Sequence, residues 1–227
     1  MKEPGKIKAV AFDIDGTLYR NSAMYLYSVP FAIAHLRFLS AFSEVRKEIR
    51  RIRPIENLCL LQAQMTADRL GWTPDRAREA IDRLVYHEWE RTFRHIRLVP
   101  GVTDLLSSLR ARGIPVVAMS DFPVERKLGL LGLEDAFDFA FSSEDTHYLK
   151  PNPEPFLKIL DLVSLEPSDV LYVGNSHAYD VIGAGRTGMQ TAHFSSKNSR
   201  SPAADFHFSR YADLKTLILC GNSQSGE

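Results

Sequence analysis

Three apolar runs in this chain each end on a polar residue or a glycine, and this pattern restricts the fold more than any other feature. Residues 7–12 run into Asp13, residues 114–119 into Ser120, and residues 170–173 into Gly174 and Asn175. Short, continuous apolar runs are typical of strands buried on both faces, because a parallel sheet is covered by helices on either side. Helical stretches alternate with these runs. Residues 153–162 carry Asn152 as N-cap and Pro153 at the first helical position. Residues 178–187 read as the helix after the third strand, 190–194 as a closing strand and 211–219 as a last helix. The expected fold class is therefore α/β, a doubly wound parallel sheet.

Residues 20–97 break this rhythm with long helical patterns and no clear strand. Their clearest helix follows Thr73 as N-cap and Pro74, with Ile81, Val85, Trp89 and Phe93 at four-residue spacing, flanked by Leu84 and Ile96. An all-helical insert of this size after the first strand reads as a second, small domain. The expected division is a core of 1–19 and 98–220, a helical domain of 20–97, and a small, polar, disordered tail of 221–227. The insert carries 14 Lys/Arg against 9 Asp/Glu and the remainder 14 against 19, although the whole chain is neutral. A basic insert over an acidic core would suit a metal site facing an anionic substrate. Most arginines of residues 46–53 are expected simply to face solvent.

Overall neutrality, with 44% hydrophobic and 25% charged residues, gives no reason to expect nucleic acid or an anionic membrane as partner. The longest apolar stretch, residues 23–34, contains Tyr25, Tyr27, Ser28 and Pro30 and is too short and too polar to span a bilayer. Cys59 and Cys220 are too few for a disulfide framework, and the N-terminus leads into a strand rather than a signal-peptide core. A cytoplasmic protein with reduced thiols is expected.

The chemistry gathers where the strands end. The first run closes in Asp13-Ile14-Asp15-Gly16-Thr17. Side chains alternate along a strand, so Asp13 and Asp15 would point the same way if the extended geometry persists. Gly16 allows a tight departure and Thr17 adds a hydroxyl donor. Two carboxylates at close range need a cation or a shared proton, and they can divide the roles of nucleophile and proton carrier. Ser120, Lys150 and the segment Asn175-Ser176 through Asp180 would reach the same rim of the sheet, where open α/β sheets bind ligands. Taken singly, these residues could be a turn serine, a surface cation and a first-turn helix acid. His177 is read as an exposed histidine at a helix start. Tyr19, Tyr25 and Tyr27 read as core or interdomain packing, or else as a pocket wall.

In this order the residues resemble the four motifs of the haloacid dehalogenase superfamily of hydrolases. The resemblance covers nearly the whole chain outside the insert: Asp13-x-Asp15-Gly16-Thr17, Ser120, Lys150 within Lys-Pro-x-Pro-x-x-Phe, and Gly174-Asn175-Ser176 through Asp180. It implies a Rossmann-like core with the insert as a helical type 1 cap, and a phosphatase acting on a small phosphorylated molecule. Asp13 would be the nucleophile, forming an aspartyl phosphate, and Asp15 would be the acid and base. Thr17, Ser120, Asp121 and Lys150 would hold the phosphoryl group. A magnesium ion would be bound by Asp13, the Asp15 carbonyl and Asn175 or Asp180.

One departure stands out: the first side chain of the fourth motif, usually acidic in the phosphatases, is Asn175. Which of Asn175 and Asp180 touches the ion is therefore left open. The superfamily's carbon–halogen hydrolases generally lack the second aspartate, so Asp15 favours phosphate over halide. A phosphomutase on the same fold stays compatible with these motifs. A non-catalytic binding module would have lost the nucleophile or the lysine, whereas Asp13 and Lys150 are both present. Phosphonate cleavage through a cap lysine is disfavoured because Lys47 is the sole lysine of the insert. The identity of the substrate is not legible.

Overall fold

The computed structural model describes residues 7–195 and 199–221. The three apolar runs form β1 (Ala9–Asp13), β2 (Val116–Ser120) and β4 (Val170–Gly174), joined by β3 (Phe139–Ser142), β5 (Gln190–Phe194) and β6 (Phe206–Phe208). These six strands of the described residues lie in one parallel sheet of order β3-β2-β1-β4-β5-β6. Strand order reverses between β1 and β4, which leaves a crevice outside their carboxyl ends. Asp13 is the last residue of the central strand.

Alternation along β1 supplies both layers. Val10 and Phe12 join the core beneath α5 (Val102–Ala111) and α9 (Tyr211–Gly221), while Ala9 and Ala11 face α7 (Pro153–Val163). The two strands not anticipated, β3 and β6, are short edge strands. The first half of β3 is exposed and β6 has 3 residues, so neither carries a long apolar run. Beyond Gly221, the expected tail lies outside the described residues.

Between β1 and β2 the chain is helical: α1 (Asn21–Ala34), α2 (Leu36–Ile49), α3 (Leu58–Leu70) and α4 (Pro74–Ala80). The last continues through wide π turns at Ile81–Glu88 and tight 3-10 turns at Trp89–His95. The protein is thus an α/β sheet with a small all-helical cap. Thr73 caps α4, accepting from the Arg76 amide at 3.4 Å. The apolar stripe serves two cores: Ile81 and Val85 pack with Phe38 and Phe42 inside the cap, whereas Phe93 packs in the main core. The turns widen and tighten where this face passes from one core to the other. The chain leaves and re-enters the sheet domain side by side, with Tyr19 bridged to Leu98 and the Val99 amide donating to the Leu18 carbonyl at 2.8 Å.

Arg46 and Arg50 depart from the expected solvated face, whereas Arg51 and Arg53 are exposed. Arg46 is only 4% exposed. It donates to Gln62 Oε1 at 3.0 Å, to Glu144 and to the Asp121 carbonyl, with its guanidinium 4.5 Å from the Phe122 ring centre. Arg50 donates to the Lys150 carbonyl at 2.7 Å and to Asp121 Oδ2 at 2.5 Å. Arg53, past the end of α2, reaches Asn152 Oδ1 at 2.9 Å and Glu154. Positions 46 and 50 lie on one side of the C-terminal end of α2, and with Arg53 just beyond it they meet the acidic rim of the sheet.

Two local expectations change in detail. Asn152 stands at the start of α7, but its side-chain amide donates to the Arg50 and Leu149 carbonyls instead of capping the helix. The helix after β4 opens with π turns at His177–Val181 before α8 (Ile182–Arg186). No described helix is long and apolar enough to cross a membrane.

Candidate active site

Strand geometry stops at Asp13. The chain turns at once, with the Thr17 amide donating to the Ile14 carbonyl at 3.2 Å and Gly16 at φ +88°. Asp13 and Asp15 nevertheless line one cleft, together with Asp121, Lys150, Asn175, Ser176 and Asp180. The Asp13 carboxylate is held at both oxygens: Thr17 Oγ1 donates to Oδ2 at 2.7 Å and Lys150 Nζ to Oδ1 at 2.6 Å. Lys150 also donates to Asp180 Oδ1 at 2.7 Å. Burial and the nearby charge of Asp180 push the Asp13 pKa up to about 7, against the opposing pull of Lys150. Burial opposes the charged form of Lys150, yet the Asp13 and Asp180 carboxylates hold its pKa well above the usual lysine range.

Asp15 has its own partners. Lys127 Nζ donates to Oδ1 at 2.9 Å and Oδ2 at 2.8 Å, Tyr19 Oη to Oδ1 at 2.6 Å, and Ser120 Oγ to Oδ2. Burial would raise the Asp15 pKa, but Lys127 and these donors outweigh it and the net shift is downward. Sequence reasoning misses Lys127 and Tyr19 as site residues. The tyrosine reads as packing, and it is fully buried as well as bonded. For Lys127 a signal exists: it lies on the same helical face as Val124, Leu128 and Leu131, so a lysine stands in an apolar stripe.

Ser120 thus touches Asp15, and the Phe122 amide donates to its hydroxyl at 3.1 Å. The Asp121 carboxylate is engaged by Arg50, Ser143 and the Lys150 amide. Burial notwithstanding, Arg50 and Lys150 hold its pKa down to about 2. Asp180 accepts from the Ser176 amide at 2.8 Å as well as from Lys150. Gly174 and Gly16 make this packing possible. A Cβ at Gly174 would fall 2.4 Å from Asp180 Cβ, and one at Gly16 would fall 2.3 Å from Asn175 Nδ2. His177 is exposed, with Nδ1 2.6 Å from Ser201 Oγ, and Tyr25 stands at the cleft mouth while Tyr27 packs against His95.

No three His, Cys, Asp or Glu side chains are grouped as a metal site among the described residues. Asp13, Asp180, the Asn175 side chain and the Asp15 carbonyl are nonetheless oxygen donors of the kind magnesium prefers. The buried Asp13, destabilised in its charged form by Asp180 and Asp15, is the group such a cation would relieve.

A family model of haloacid dehalogenase-like hydrolases matches residues 7–188. The chain belongs to this family. Among curated members, a glyceraldehyde 3-phosphate phosphatase from Methanopyrus kandleri is 30% identical over 200 residues, covering 82% of each chain. A putative pyrophosphatase PpaX from Caldanaerobacter subterraneus is 28% identical over 190 residues, covering 82% of this chain and 80% of the relative. The crystal structure of a HAD phosphatase from Thermococcus onnurineus superposes with a TM-score of 0.65 at 25% identity, over 95% of this chain and 99% of that one. The L-2-haloacid dehalogenase from Xanthobacter autotrophicus, with chloropropionic acid covalently bound, gives 0.67 at 17% identity over 94% and 98%. At that identity it shares the fold alone. Both of these curated relatives are named as phosphatases.

Proposed function

We propose that the chain is a magnesium-dependent phosphatase that cleaves phosphomonoesters of small metabolites through an aspartyl phosphate on Asp13. The observation that carries this reading is the Asp13 carboxylate itself. It is buried at the end of the central strand and held by Thr17 and Lys150, and a second carboxylate, Asp15, lies in the same cleft. The helical block of residues 20–97 is read as the cap that closes this cleft.

In the first half-reaction an Asp13 oxygen attacks phosphorus and the ester P–O bond breaks. The leaving oxygen takes a proton from Asp15. In the second, Asp15 accepts a proton from the water that attacks phosphorus and frees Asp13. The four hydrogen bonds that Asp15 accepts favour its ionised form, which suits this basic role. For the first half-reaction, the proton it passes on therefore comes from the substrate's phosphate monoanion as that binds. Lys150 and Ser120 bind the phosphoryl oxygens, and the main chain beside Asp121 frames them while its carboxylate holds Arg50. Asp13, the Asp15 carbonyl, Asn175 and Asp180 would hold magnesium. When bound, the ion supplies positive charge against the nucleophile and the phosphoryl oxygens.

Phosphate release from p-nitrophenyl phosphate, with and without magnesium, tests the reading. Asp13→Asn is expected to abolish turnover and the acid-stable phosphoprotein signal, with the fold intact by circular dichroism. Retention of more than about a tenth of the activity would sink the covalent route, once deamidation is excluded by mass spectrometry.

A further inference from the structure

We infer that the substrate carries phosphate as its only anionic group, on an uncharged body that packs against aromatic side chains. The inference rests on the phosphatase reading and narrows it. The cleft, of about 530 Å³, is lined by the carboxylates of Asp13, Asp15, Asp121 and Asp180 and, among the described residues, by a single cation, Lys150. Lys150 is committed to Asp13 and Asp180. The cations that stand behind the lining are also committed. Lys127, 2% exposed, spans both oxygens of Asp15. Arg50 is paired with Asp121, and Arg46 with Glu144. Arg20 lines a separate depression beyond Asn21 and Asn175.

A phosphoryl group at Asp13 therefore takes the only cation that the described lining offers. A second anion on the substrate, whether a carboxylate or another phosphate, would enter beside Asp121 and Asp15. It would meet neutral donors such as Asn21, Asn175 and Ser176 but no cation of its own, and burying a charge without a counter-charge is costly. The remaining wall is of a different kind. Met24, Tyr25, Trp89 and Phe122 line the cleft on the cap side and on the loop after β2, and Tyr179 lines it on the sheet side. Trp89 and Phe122 meet edge to face at 5.6 Å, and the Arg50 guanidinium lies 4.4 Å from the Tyr179 ring centre, which fixes that ring. Rigid aromatic surface of this sort rewards an apolar or flat body, since its stabilisation grows with the area removed from water.

A matched pair of aryl phosphates isolates the charge: 4-(hydroxymethyl)phenyl phosphate and 4-carboxyphenyl phosphate, whose phenol leaving groups are electronically similar. The carboxylate is expected to lower kcat/KM by about tenfold, mainly through KM, and the gap should narrow as ionic strength rises. Pyrophosphate should be a poorer substrate than either. Asp121→Asn releases the Arg50 guanidinium and is expected to raise the relative kcat/KM of the carboxylated compound several-fold. Equal or better turnover of the carboxylated compound or of pyrophosphate by the wild type would overturn this inference alone. No magnesium-dependent turnover of any of the three would overturn the phosphatase reading and this one with it.

Discussion

Lys127 Nζ lies 2.8 and 2.9 Å from the two carboxylate oxygens of Asp15, in a position that is 2% exposed. The rings of Phe93 and Phe122 flank the ammonium, with centres at 5.5 and 5.6 Å. A buried lysine so placed orients the carboxylate as well as neutralising it, because both oxygens are tied to one donor.

The first prediction follows from that contact. Lys127→Met keeps most of the length of the side chain and removes its charge, leaving Asp15 held by Tyr19 and Ser120 alone. Proton transfer by a positioned group is worth roughly 10²–10⁴-fold, so loss of positioning should cost kcat about 10- to 100-fold. KM should change little. The loss should be larger for alkyl than for activated aryl phosphates, because poor leaving groups need the proton more. Steady-state kinetics on both ester types check this. An equal loss for both would assign Lys127 a purely structural role.

A second prediction concerns the fourth motif. Asn175→Asp adds a negative charge beside Asp13 and Asp180, and the Coulomb term between close charges amounts to a few kcal/mol even at an effective dielectric of about 20. Desolvation and screening cancel much of it. Magnesium binding is expected to tighten by about tenfold, or roughly 1.4 kcal/mol, and Asp180→Asn to weaken it. Calorimetric titration of magnesium at constant ionic strength reads both. Unchanged affinity in both variants would place this motif outside the metal site.

The third prediction tests the arginine face that joins the cap to the sheet. Arg46→Ala removes the donor shared by Gln62, Glu144 and the Asp121 carbonyl and leaves the Glu144 charge with the Tyr86 hydroxyl alone. Breaking a buried pair in this way costs about 3 kcal/mol or more. Urea denaturation should show that loss in Arg46→Ala and a smaller one in Arg46→Met with Glu144→Gln. A loss below about 1 kcal/mol would make this an ordinary surface pair.

Acid stability provides the fourth. Asp121 is held down to about 2 from the ordinary 3.8, by Arg50 and Lys150 against the opposing effect of burial. A carboxyl whose folded pKa is depressed stabilises the fold above its unfolded pKa. That stabilisation is lost as pH falls from about 4 through about 2, and amounts to the order of 2 kcal/mol. Asp121→Asn should therefore destabilise the protein at pH 6 and lose less of its remaining stability between pH 4 and pH 2 than the wild type does. Parallel pH curves for the two proteins would contradict the pairing with Arg50.

Much of the architecture was legible from periodicity alone. Continuous apolar runs marked β1, β2 and β4, and the signals at Thr73 and Pro153 marked helix starts, because these features are local and burial imposes them residue by residue. The positions of Asp13, Lys150 and Asp180 at one rim followed from the rule that ligands sit at the carboxyl ends of parallel strands. The edge strands β3 and β6 stayed hidden because a short edge strand buries too little to need an apolar run. Which side chain faces which carboxylate was decided only in three dimensions. Residue 127 is separated from Asp15 by 112 positions, and Arg50 from Asp121 by 71. No local pattern encodes those pairings, since each depends on how the cap and α6 (Glu125–Leu130) pack over the sheet. A lysine or arginine in an amphipathic helix reads as solvated until a partner from elsewhere in the chain removes it from water, and that removal is a property of the packed fold.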